Sequence, residues 1–409
     1  MAASGRNHDS SGRFAQMLRA AAHGSAIRST ADESSSPIDR RRVYRQRGQS
    51  RLRTSLRAAF AALLCASLGL GAAACGSAND ASSSGDATKL SFMLDWTPNT
   101  NHIGLYVAQK LGYFKDAGVN LTILPTAQAG AETSVENGVA NVGFTTLSNV
   151  AAFNAQGAKL RFVFDLTQKP VAQWCALASR KDIVTPKDLS GKTFVSFGSA
   201  EQNAVVRQMI KHAGGTGEFK TATAGTNTFA TLSSGKGDFG GFYATWEGVE
   251  SKLNGPALNC FEAADWGVPG NPDQLGFAVN ASWLNDSAHQ ATLRHFLAAA
   301  AKGYDYALAN PQKASDILVA QTKESQLDPK LVRASMDTII DRNYWTTAKD
   351  AKRVTGATDF DAAQQYLDFQ NNAGTYASDK DKAKAKDGTS GTPGQAPQAR
   401  KLATNDYLS

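Results

Sequence analysis

Leu94-Asp95-Trp96-Thr97-Pro98-Asn99-Thr100-Asn101-His102-Ile103-Gly104-Leu105-Tyr106-Val107-Ala108 decides how the rest of the chain is read. The apolar run ending at Leu94 reads as a strand. Leu105, Ala108 and Leu111 recur at helical spacing up to Gly112. The stretch between them is therefore a strand-to-helix connection. Pro98 cannot continue a strand ladder, and Asn and Thr suit turns and helix starts. In open α/β sheets such connections, at the carboxyl ends of strands, are where ligands bind. Asp95, Trp96, Asn99, Asn101 and His102 offer a carboxylate, an indole, two amides and an imidazole. Those groups suit a flat, polar heterocycle: the indole stacks on its face and the others bond to its edge. The same residues also serve ordinary capped turns.

Outward from this stretch, strands and helices alternate. Strands are expected at Val119–Leu124, Asn141–Phe144 and Leu160–Leu166, with helices at Ala131–Gly138 and Leu147–Gln156 between them. A second set begins near Trp174, with strands at Lys192–Phe197, Phe219–Ala224, Asp238–Tyr243 and Leu258–Ala263. Its helix Ala200–His212 stops at Gly214-Gly215. Phe277–Asn280 returns to the first set, and the chain is then helical to Gln370. The pattern predicts mostly parallel sheets with helices on both faces. It divides the chain into lobe 1 (88–173 and 277–373) and an inserted lobe 2 (174–276). Two crossings, near 170–174 and 273–278, would form a hinge beside a ligand cleft.

LDWTPNTNHIGLYVAQKLGYFKDAGV, residues 94–119, resembles the opening of substrate-binding proteins of ABC importers for thiamine-precursor pyrimidines. That family includes the fungal thiamine-pyrimidine synthases. The two-lobed pattern likewise resembles the α/β type II periplasmic-binding-protein fold. The family places a Gly-Tyr-Trp-x-Trp-Glu-Gly segment where this chain has Gly241-Phe242-Tyr243-Ala244-Thr245-Trp246-Glu247-Gly248. The resemblance implicates Tyr243, Trp246 and Glu247: the acid pairs with the edge of an aminopyrimidine and aromatics stack on its ring. Ala244 departs from the pattern, implying a wider or shifted pocket. The expectation is capture of the ring between Trp96 and Trp246 from opposite lobes, with Glu247, Asn99 and Asn101 reading its edge.

Two further strand-to-helix segments carry polar groups. Thr145 and Ser148 lie in Gly143-Phe144-Thr145-Thr146-Leu147-Ser148-Asn149, and Ser199 lies in Ser196-Phe197-Gly198-Ser199-Ala200-Glu201. Each segment reads equally as a helix cap. In the synthase branch a histidine of the first segment donates atoms to the product; the aligned residue here is Asn149. The branch's Cys-rich iron motif has no counterpart, since Trp266–Phe277 contains no cysteine. No histidine pairs with Cys or acids at metal-ligand spacing. The expectation is therefore a binding protein and not an enzyme, with no metal and no cofactor.

The formal charge of +7 comes from the leader. Residues 1–74 hold twelve Arg and four acids, leaving 31 basic and 32 acidic residues beyond them. No basic patch is left to argue for nucleic acid. The run Arg40–Arg57, then apolar Ala58–Ala74 ending in small residues before Cys75, reads as a secretory signal. It resembles a bacterial lipoprotein signal with Cys75 as the lipidated residue, although Ala72 stands where Leu is usual. Residues 1–75 are thus an extension plus signal, and 76–87 a Ser-rich tether. The protein is expected on the outer face of the cell membrane, held by lipid and serving an ABC permease. Cys175 and Cys260 remain as an even pair in an oxidising compartment, open to a disulfide or to two buried thiols. Residues 374–400 read as a low-complexity insertion, with 401–409 docking back. Riboflavin, nitrate and sulfonates are the alternative ligands, and self-consuming pyrimidine synthesis the alternative activity.

Overall fold

A computed structural model describes residues 87–347, 350, 352–377 and 395–408. The leader, Cys75 and all but the last residue of the tether lie outside the described residues. Ten strands form two five-stranded sheets. The first holds β1 (Thr88–Met93), β2 (Val119–Leu124), β3 (Val142–Thr146), β4 (Leu160–Asp165) and β10 (Leu275–Asn280), in the order β2-β1-β3-β10-β4. The second holds β5 (Ala172–Leu177), β6 (Thr193–Ser196), β7 (Lys220–Thr223), β8 (Phe239–Tyr243) and β9 (Leu258–Glu262), in the order β7-β6-β8-β5-β9. The architecture is the type II periplasmic-binding-protein fold.

One strand in each sheet runs against its neighbours. β10 is antiparallel to β3 and β4, and β5 is antiparallel to β8 and β9. Both are the strands by which the chain enters a lobe from the other: β5 follows β4 of the first sheet, and β10 follows β9 of the second. Neither is therefore joined to its sheet neighbours by the helical crossover that a parallel pair needs. The sheets also take in more residues at the crossings than periodicity indicated. β5 starts at Ala172 and β10 at Leu275, two residues earlier than the expected lobe limits.

The crossings lie side by side and are stitched together. Asp273 Oδ2 accepts from Val171 N at 2.9 Å and Ala172 N at 2.7 Å. Asn271 Nδ2 donates to Thr167 O at 3.1 Å, and Leu275 N donates to Thr167 Oγ1 at 2.8 Å. Burial raises the Asp273 carboxyl to about 6, against the pull of the two backbone N–H groups.

Lobe 1 is organised around a close contact of two helices. Ile103, Leu105, Val107 and Ala108 of helix Ile103–Lys110 are all buried, as a helix apolar on every side requires. A Cβ on Gly104 would fall 2.3 Å from Tyr304 Cγ, and one on Gly303 would fall 2.0 Å from Gly104 O. Glycine at both positions lets helix Ser287–Ala309 approach to backbone contact. Tyr304 then reaches Asn101 O with its hydroxyl at 2.7 Å.

In lobe 2, Cys175 and Cys260 face each other across β5 and β9 and form a disulfide. It closes a span of 85 residues, which constrains the unfolded chain by about 2–4 kcal/mol. The low-complexity stretch is narrower than its composition indicated. Tyr376 OH pairs with Ser148 Oγ at 2.8 Å, and Ala399–Leu402 is a helical turn. Ala403 bridges to Phe162, and Thr404 N donates to Phe162 O at 3.0 Å, so this end packs on β4. Specific hydroxyl and backbone partners hold residues whose composition alone argues against order.

Candidate functional site

β1, β3, β6 and β8 each run into a helix, and their carboxyl ends meet in a cleft between the sheets. The cleft encloses about 290 Å³. Lobe 1 contributes Asp95, Trp96, Asn99 and Asn101 after β1, with Thr145 at the end of β3 and Asn149 after it. Lobe 2 contributes Ser199, Glu201 and Gln202 after β6, with Tyr243 at the end of β8 and Trp246 and Glu247 after it.

The stretch 95–102 is tighter than an open loop. Thr100–His102 forms a 3-10 turn closed by a reciprocal cap. Asn99 Oδ1 accepts from Asn101 N at 2.8 Å, and Asn99 N donates to His102 Nδ1 at 3.3 Å. With Nδ1 accepting, Nε2 carries the imidazole proton and donates to Asp95 Oδ1 at 2.9 Å. His102 is fully buried and lies behind the wall, not on it: the cap consumes one ring nitrogen and Asp95 the other. Asn99 lines the cleft, but its amide also donates to Thr97 O at 3.2 Å. Asn101 lines it with its side-chain amide unpaired among the described residues.

Ser148 also sits behind the wall, paired with Tyr376. Thr145 lines the cleft, with its hydroxyl donating to Glu132 Oε1 at 2.6 Å. Asn149 Nδ2 donates to the same oxygen at 2.8 Å. Ser199 caps helix Ala200–His212, accepting from Gln202 N at 3.3 Å. Trp96 and Trp246 both line the cleft, but the indole of Trp96 already lies against Phe197 of the other lobe. Their ring centroids are 4.4 Å apart.

Glu247 opens helix Glu247–Asn254, and its Oε2 accepts from Tyr243 N at 3.1 Å. Burial pushes its carboxyl up to about 7. Glu201 was not singled out from sequence, although it stands in the first turn after β6 much as Glu247 stands after β8. Burial pushes it up to about 7 as well, against a hydrogen bond from Tyr366 OH at 2.7 Å. Trp174 and Asp273 were also missed; both lie at the crossings, where no local pattern marks a site. Phe197 carried one signal, an apolar residue at the exposed end of a strand.

These shifts predict a pH dependence. Two carboxyls held near 7, against an ordinary 4.5, bind protons more tightly in the folded state than in the unfolded chain. Stability of the ligand-free protein should fall as pH rises from about 4.5 to about 7 and then level off, by at most about 3 kcal/mol per group. Urea unfolding at pH 5 and pH 8 checks this, with Glu201→Gln and Glu247→Gln flattening the difference. Stability rising across that window would contradict it.

Five carboxylates line the cavity (Asp95, Glu132, Glu201, Glu247 and Asp273), and no Lys or Arg does so among the described residues. Such a surface suits a ligand rich in N–H donors, neutral or cationic, and repels anions.

A formylaminopyrimidine-binding protein of Halalkalibacterium halodurans is 29% identical over 236 residues, which is 57% of this chain and 70% of that relative. A 4-amino-5-hydroxymethyl-2-methylpyrimidine phosphate synthase of Saccharomyces cerevisiae is 28% identical over 238 residues, 55% of this chain and 69% of that one. Two solved structures share the fold, each 14% identical with a TM-score of 0.55. The alkanesulfonate-binding protein SsuA from Xanthomonas axonopodis pv. citri, bound to MOPS, covers 71% of this chain and 94% of its own. A Candida albicans gene product described as having the generic periplasmic binding protein fold covers 78% and 96%. A family profile described as "NMT1/THI5 like" matches residues 99–314, a span that takes in all four strand-to-helix corners of the cleft except Asp95 and Trp96. With more than half of its length matched, the chain belongs to the NMT1/THI5-like family.

Proposed function

We propose that this protein captures a thiamine-related aminopyrimidine, hydroxymethylpyrimidine or formylaminopyrimidine, and delivers it to the permease of an ABC importer. In this reading lipid on Cys75 holds it on the outer face of the cell membrane. The observation that carries the ligand class is the carboxylate lining, with no facing Lys or Arg among the described residues. An aminopyrimidine presents N–H groups and a basic ring nitrogen to such a wall. Nitrate or a sulfonate would meet five acids and no cation. A cavity of about 290 Å³ favours a single ring over a tricyclic flavin with its ribityl chain. The formylaminopyrimidine-binding relative supports the same class.

The mechanism is capture. Trp246 offers a ring face, Glu247 and Asn101 read the polar edge, and closing about the paired crossings shields the ligand from water. Differential affinity for the closed form drives that closure. Calorimetric titration with both aminopyrimidines, riboflavin, taurine and nitrate tests the reading, and only the aminopyrimidines are expected to bind. Binding of the anions, with none of the pyrimidines, would overturn it. Loss of the membrane-bound fraction in Cys75→Ala is expected for the anchor; unchanged partition would remove that part.

A further inference from the structure

Gly241 and Trp174 are direct partners across the β5–β8 ladder. Side chains at such positions stand next to each other on one face of a sheet. Glycine leaves its place empty, and the gap opens into the cavity that both residues line. A Cβ on Gly241 would lie 3.5 Å from Trp174 Nε1 and 3.5 Å from Gln202 Nε2, with Phe194 Cζ next at 3.8 Å. The nearest atoms around the gap are therefore two nitrogens and an aromatic carbon.

Both nitrogens are hydrogen-bond donors without an acceptor. Trp174 is 3% exposed, and its Nε1 is buried with no partner. An indole nitrogen can only donate. The Gln202 amide is oriented by its oxygen, which accepts from Phe197 N at 3.3 Å and from Ser196 Oγ at 3.5 Å. Its Nε2 is thereby turned towards the gap, where nothing among the described residues accepts from it. The buried, unpaired Trp174 donor is costly, and the half-buried Gln202 amide adds a second donor beside the same space, so the two together call for an acceptor there.

We propose that the gap beside Gly241 is an acceptor subsite, which takes a carbonyl oxygen of the ligand between Trp174 Nε1–H and Gln202 Nε2–H. An sp² oxygen offers both lone pairs and brings no hydrogen. A hydroxyl would bring a hydrogen to a gap walled by donors and a ring. The subsite rests on the aminopyrimidine reading and sharpens it: the preferred ligand carries a formamide or similar amide beside the ring, and the hydroxymethyl compound is the poorer one.

Calorimetry of the full-length protein with formylaminopyrimidine and with hydroxymethylpyrimidine tests it, in wild type, Gly241→Ala and Trp174→Phe. At 3.5 Å the added methyl makes ordinary contacts, so Gly241→Ala fills the gap without a clash. Melting of the ligand-free variants checks their folding. The wild type should prefer the formylated compound, and each variant should reduce the ratio of the two dissociation constants on the order of tenfold. A ratio unchanged in both variants, with the wild type binding both compounds, overturns the subsite alone. A wild type that binds neither overturns the aminopyrimidine reading, and the subsite with it.

Discussion

Replacing Glu247 with alanine is expected to weaken aminopyrimidine binding by about thirty- to hundredfold, or roughly 2–3 kcal/mol. The size follows from where the carboxyl stands. It lines the cleft with one oxygen tied to Tyr243 N at 3.1 Å. Burial brings it to about 7, so near neutral pH it can hold or share a proton with a ring nitrogen. Truncation leaves the ligand's N–H groups facing a methyl in a closed cavity, where water replaces the lost partner poorly. Glu247→Gln keeps the volume and an acceptor oxygen but loses the charge, and should fall between the two. Calorimetry gives the constants directly, and a Glu247→Ala value within threefold of wild type would remove Glu247 from the site.

Replacing Tyr304 with alanine is expected to cost about 3–5 kcal/mol of stability, the range for emptying a large aromatic site in a core. Its ring is fully buried and packs at 5.4 Å between centroids on Trp345 and at 6.1 Å on Phe164. It also fills the space that Gly104 leaves open, so neither helix can collapse into the cavity without losing the Gly104–Gly303 contact. Tyr304→Phe keeps the packing and removes only the bond to Asn101 O, at about 1 kcal/mol. Because that bond holds the turn carrying Asn101, the Phe variant should lose ligand affinity as well as stability. Urea unfolding of both variants separates the two contributions. An alanine variant within 1 kcal/mol of wild type would show that the helix contact holds without the ring.

Local readings succeeded where the cause was local. Helix Ala200–His212 was legible from its apolar spacing and the glycines that end it, and the corners after β1 and β8 from strands that stop at turn or helix-start residues. His102 was misplaced for a reason invisible in sequence. A histidine in a polar turn looks like a ligand group, and only the cap geometry shows both ring nitrogens already engaged. Residues 374–377 and 395–400 look unstructured by composition, yet Tyr376 and Ala399 are buried against lobe 1 by distant partners.

By itself the sequence determined the two-lobed α/β class, the family and all four strand-to-helix corners as binding candidates, because periodicity, caps and turn chemistry act within a few residues. Tertiary structure alone decided which groups share the cleft. Tyr366 reaches Glu201 across 165 residues of chain, and Trp174 meets the gap at Gly241 only through strand register. Strand order, the reversed direction of β5 and β10 and the burial that lifts Glu201 and Glu247 arise when the lobes pack, and desolvation has no counterpart in an isolated segment.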